Sequence, residues 1–264
     1  MSEYVPPRPD TMHPEPVPPA PPMPGDASVP GRRPRVTWSW SEAIGVYLLA
    51  FLAAGFATLP AVATIHDEDL ANIVASVLAA LVILGVLLLW LQRFHPIWRE
   101  AIGFPQRVWP ELRAGVLFGL ALYPVVVLGV GVVLTLLLQA VSGSEVTAPE
   151  QVSRHLPAIG TAMTVVYAIA IAPVGEELFF RGILFRSLRQ RYGFAVGLAG
   201  SGALFGLVHY VPGAWQGSVL LIGVMVFTGV ALAWFHARRE NLLANVAAHM
   251  TFNVIGLALI YFYR

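Results

Sequence analysis

Ala172-Pro173-Val174-Gly175-Glu176-Glu177-Leu178-Phe179-Phe180-Arg181 sets two carboxylates and a guanidinium inside an apolar segment running from Pro157 to Arg191. About twenty apolar residues suffice to cross a bilayer, so the segment reads as membrane-spanning. Ionisable groups at that depth are costly; they face a cavity and mark function.

Six further apolar segments flank it. Ser41–Thr64, Ala71–Leu91 and Ala114–Ala140 precede it; Phe194–Val211, Gly217–Phe235 and Leu242–Tyr263 follow. The fold class predicted is all-α, a polytopic transmembrane helix bundle of seven or eight membrane helices. The eighth arises if Pro173 and Gly175 break the long segment in two.

Composition agrees. The 264 residues are 57% hydrophobic and 12% charged, about half the charged fraction of a soluble domain. A net charge of +1 provides no field to gather nucleic acid, and nucleic acid is not expected as a partner. With no cysteine, a thiol nucleophile and a cysteine metal site are excluded.

Basic residues cluster on alternate loops. Arg32, Arg33 and Arg35 precede the first span; Arg93, Arg99, Arg107 and Arg113 follow the second. Arg186, Arg189 and Arg191 follow the fourth, and Arg238 and Arg239 the sixth. Asp67, Glu68, Asp69 and Glu145 occupy the opposite loops. The positive-inside rule then places the N-terminus in the cytoplasm and the C-terminus outside. Residues 1–36 are rich in proline and poor in apolar side chains, so a disordered cytoplasmic tail is expected. A proline-binding partner is its functional reading; a solvated tail is the plainer one. Residues 37–264 form the membrane domain, with the core of interest at 157–264. Trp98, Phe104 and Trp109 among the arginines of 92–113 suit the headgroup zone of the lipid bilayer.

Glu176 lies about sixteen residues before the turn Arg191-Tyr192-Gly193, and His209 about as far after it. Both would stand roughly 25 Å above the turn on regular helices, side by side in an antiparallel pair. His249 is only about 13 to 15 Å from its own turn, so it needs a tilted span or a bent fourth segment to join them. Glu177 and Arg181 are four apart in the favoured order and can pair, leaving Glu176 free for proton transfer. Their other reading is a buried ion pair that fixes packing. Phe205 stands one turn before His209, and Asn253 one turn after His249. His249 and Asn253 could polarise a carbonyl and hold an oxyanion, or bridge helices by hydrogen bonds. His13, His66, His95, His155 and His236 are expected at solvated positions. A cavity for the set should open laterally or toward the arginine-rich face.

Three motifs in order, Glu176-Glu177-x-x-x-Arg181, Phe205-x-x-x-His209 and His249-x-x-x-Asn253, resemble those of the CPBP family. That family comprises CAAX-prenyl endopeptidases and their bacterial relatives, the Abi and bacteriocin-processing proteins. The resemblance implies an intramembrane endopeptidase acting on a membrane-associated protein or peptide, in a bacterial cytoplasmic membrane. Carried over, Glu176 and His209 activate water, His249 and Asn253 stabilise the oxyanion, and Glu177, Arg181 and Phe205 support the site. A divalent metal such as zinc on Glu176, His209 and His249 is one form of the chemistry; a metal-free glutamate base is the other. Two other classes compete. One is a non-catalytic membrane scaffold or bacteriocin-immunity protein. The other is a proton-coupled transporter, for which the repeated halves are missing.

Overall fold

The computed structural model describes residues 34–103, 107–149, 152–153 and 156–262. The proline-rich residues 1–33, with the expected partner of that tail, lie outside the described residues, as do His13 and His155. The described residues form helices and no strand: α1 (Trp40–Thr64), α2 (Glu68–Phe94), α3 (Trp98–Ile102), α4 (Val108–Ser142), α5 (Ala158–Tyr192), α6 (Phe194–Leu207), α7 (Trp215–Arg239) and α8 (Leu242–Phe262). Six of these are long and apolar enough to cross a membrane, and α6 is a shorter apolar helix. The fold is thus a polytopic helical bundle, and each of the seven apolar segments is a helix.

Local chemistry sets the helix starts. Ser39 and Glu42 close a capping box on α1, with Glu42 N donating to Ser39 Oγ at 3.1 Å. Asp67 caps α2 by accepting from Leu70 N at 2.9 Å. Glu68 and Asp69 in its first turn and Arg93 in its last suit the helix dipole.

Small residues set the packing. A Cβ on Gly115 or Gly119 of α4 would lie 2.3 Å from Ala244 O and 2.4 Å from Ala248 O of α8. A Cβ on Gly206 of α6 would lie 2.3 Å from Val226 of α7, and one on Gly202 2.4 Å from Val230. Backbones therefore approach closely, the packing that helices adopt where lipid removes any hydrophobic drive to associate. Leu48, Leu49, Phe51, Leu52 and Phe56 of α1 point outward, as a lipid-facing surface requires. At the arginine-rich end Trp38, Trp98, Phe179, Phe180 and Ile183 pack into one buried cluster. Trp38 Nε1 donates to Ile183 O at 3.1 Å, and Val36 exchanges hydrogen bonds with Gln190 at 2.9 and 3.1 Å. Residues 34–38 thus close that end of the bundle.

One alternative left open by the sequence is decided, and one expectation is corrected. Pro173 does not divide the fourth segment: α5 is continuous over 35 residues and absorbs the proline in widened π turns at Tyr167–Ile171 and Leu178–Phe185. His95 and His236 are buried rather than solvated. His95 sits between Thr37 Oγ1 at 2.8 Å and Glu42 Oε1 at 3.3 Å, against Trp38 and Trp90. His236 Nδ1 donates to Asn245 Oδ1 at 3.3 Å. In each ring Nδ1 has a partner from elsewhere in the chain, while Nε2 is buried without a hydrogen bond. His66 is exposed as expected.

Candidate active site

Glu176, His209, His249 and Asn253 all line one cavity of about 750 Å³. Glu176 comes from α5, His209 from just beyond the end of α6, and the other two from α8. Glu176 Oε2 is buried without a hydrogen-bond partner. It lies 4.0 Å from His209 Nε2 and 3.9 Å from His249 Nε2. His249 therefore joins the pair despite its shallower position along the chain. The eight π residues between Glu176 and the turn at Gly193 help: wider turns rise less per residue, so Glu176 sits lower than on a regular helix.

Both rings have their far nitrogen occupied. His209 Nδ1 donates to Phe205 O at 2.7 Å, and His249 Nδ1 donates to Glu177 Oε1 at 2.9 Å. This fixes each imidazole with Nε2 toward Glu176. Glu177 Oε1 also accepts from Arg181 Nη1 at 2.9 Å, and Arg181 Nη2 donates to Gly229 O at 3.1 Å. Glu177 and Arg181 are fully buried and outside the cavity lining. The expected pairing is present, but Glu177 does not turn away from the site; it also anchors His249. Phe205 ties the set together, its ring 4.4 Å from the Arg181 guanidinium and 4.7 and 5.8 Å from the His209 and His249 rings.

Residues 158–255, which hold all three motifs, match the family model described as Rce1-like, Type II CAAX prenyl endopeptidase. No curated protein and no solved structure matches the chain. Six helices of membrane-spanning length fit an integral membrane protein, and the cavity is lined from α2, α5, α7 and α8 among them.

The site offers a glutamate and two histidines, donors that suit zinc. Their second nitrogens are held as metal-bound histidines usually are. The spacing does not fit. Separations of 4.0 and 3.9 Å exceed the roughly 3.3 Å between two ligands of tetrahedral zinc with bonds of about 2.0 to 2.1 Å. Among the described residues no three His, Asp or Glu side chains are arranged to hold a metal ion.

Of the two expected openings, lateral or toward the arginine-rich face, the cavity lining does not run to the second. It runs to Asp69, Asn72 and Ser76 on α2 and to Ile260 on α8, away from the arginine-rich end. That end is closed by the aromatic cluster and residues 34–38. Asp69, Asn72 and Ser76 form a polar stripe at helical spacing, a signal present in the sequence and unused in its reading. Tyr167 also lines the cavity, and Tyr47 stacks on Phe179 at 3.9 Å. Nothing local in the sequence separates these tyrosines from others at membrane depth.

Proposed function

We propose that the protein is a glutamate-dependent intramembrane endopeptidase that hydrolyses a peptide bond of a membrane-associated protein or peptide. The observation that carries this reading is the buried, unpartnered Glu176 Oε2 facing two imidazole Nε2 atoms at 4.0 and 3.9 Å. A water drawn in between them would bridge the carboxylate and the imidazoles. Such a water can donate one hydrogen to Glu176 and the other to His209. Glu176 takes the proton as oxygen attacks the scissile carbonyl carbon. The carbonyl π electrons move to oxygen, which His249 Nε2–H and one amide hydrogen of Asn253 stabilise. Collapse of the intermediate breaks the C–N bond, and Glu176 returns its proton to the leaving nitrogen.

Glu177 Oε1 holds His249 Nδ1 from the far side of the ring, so Nε2 is the ring atom presented to Glu176.

The test is cleavage of a quenched-fluorescent peptide library by purified protein in phosphatidylethanolamine and phosphatidylglycerol vesicles. Glu176→Gln should lower cleavage by about 10² to 10⁴, the usual worth of a general base, with thermal stability unchanged. Near-normal cleavage by Glu176→Gln sinks the base assignment. No cleavage of any peptide by the native protein, with the fold intact, favours the scaffold reading.

A further inference from the structure

A proline at 173 within a continuous helix leaves a hydrogen-bond account to be closed. The carbonyl of Ala168 would accept from residue 172 in an α register, or from residue 173 in a π register. The N–H of Ala172 donates instead to Tyr167 O. Pro173 has no N–H. Ala168 O is thereby left without a backbone donor in the middle of a membrane helix, where an unsatisfied group costs several kcal/mol unless a neighbour supplies a bond. Asn253 supplies it: its Nδ2 donates to Ala168 O at 2.7 Å from α8.

The contact lies where it matters for chemistry. Tyr167, Ala168, Ala172 and Glu176 line the cavity in succession along α5, and Asn253 lines it from α8 one turn after His249. One amide hydrogen of Asn253 is committed to the helix turn that carries Glu176; the other remains for the cavity.

We infer that Asn253 is a positioning residue that splints the proline-opened turn at Ala168, locking the α5 backbone that carries Glu176 to the α8 backbone that carries His249. The bond itself does not depend on the chemistry; its catalytic consequence rests on the endopeptidase reading. Pro173 and Asn253 then act as a pair. Proline keeps the turn open, and asparagine closes the account from another helix.

This makes the two positions energetically coupled in a way that an oxyanion donor alone would not be. Pro173→Ala restores an N–H in register with Ala168 O, so the splint becomes redundant. The experiment is a double-mutant cycle of Asn253→Ala and Pro173→Ala on the full chain, each also made on Glu176→Gln. Thermal stability is read in detergent, and kcat and KM on the peptide library. Asn253→Ala alone should lower Tm in both the active and the Glu176→Gln protein. It should lower kcat by about 5- to 150-fold, the loss of a buried partner, with KM little changed. On Pro173→Ala the Tm penalty of Asn253→Ala should vanish and its kcat penalty should shrink. An unchanged Tm for Asn253→Ala, or an equal penalty in both backgrounds, overturns the inference. If Pro173→Ala does not accumulate in membranes, the Tm of Asn253→Ala on Glu176→Gln decides by itself, with no change overturning it. If no library peptide is cleaved, the stability cycle still reads the splint, and only the endopeptidase reading fails.

Discussion

His249 Nδ1 and Arg181 Nη1 both reach the same oxygen of Glu177, each at 2.9 Å. One carboxylate thus neutralises the buried guanidinium and orients the imidazole that faces Glu176 across the cavity. Glu177 thus links the buried ion pair to a cavity-lining ring, whereas Glu176 Oε2 has no hydrogen-bond partner.

Glu177→Gln should therefore fail in two ways. It leaves Arg181 uncompensated at zero exposure, a change worth about 3 to 5 kcal/mol in buried pairs. It also weakens the acceptor that holds His249 Nδ1. Thermal unfolding in detergent and library cleavage should both fall. Native thermal stability in this variant would rule out the pair as a structural anchor.

Gly119 sets how deeply α8 seats against α4. Gly119→Ala places a methyl 2.4 Å from Ala248 O, the residue before His249. The backbones must part, at about 1 to 3 kcal/mol for overpacking, and His249 shifts with them. Stability and cleavage should both drop. Gly85→Ala, which meets nothing within 4 Å, should leave both intact. Equal behaviour of the two variants would show that this close approach does not place His249.

Chelation tests the metal-free form of the reaction. The wide spacing of the three donors leads to the expectation that 1,10-phenanthroline or EDTA leaves the cleavage rate unchanged. Loss of activity that zinc restores would overturn it.

Topology follows from the arginine clusters. Reporter fusions at Met1 and Arg264 should report opposite sides of the membrane, the first cytoplasmic. Both ends on one side would refute an odd number of crossings.

Much of this was legible in the chain. Apolar length and loop arginines marked each helix, because a bilayer constrains them locally. The equal spacing of Glu176 and His209 from one turn placed them at matching depth, and they meet at 4.0 Å. Helical spacing paired Glu177 with Arg181, as found.

The rest depended on partners far away in sequence. Pro173 reads as a helix break when only its own segment is in view. The helix continues through it beside widened π turns, and Ala168 O meets a donor 85 residues on, in Asn253. His95 and His236 read as surface groups until Glu42 and Asn245 meet them inside the bundle. Glu177 reads as a simple partner of Arg181 until His249, 72 residues later, reaches the same oxygen. By itself the sequence determined the helices and the order of the polar groups along them, since helix formation and membrane insertion are short-range matters of backbone bonding and apolar length. Only the tertiary structure decided which buried donor meets which buried acceptor, because in a medium without water each polar group must be satisfied by whatever the packing of other helices brings to it.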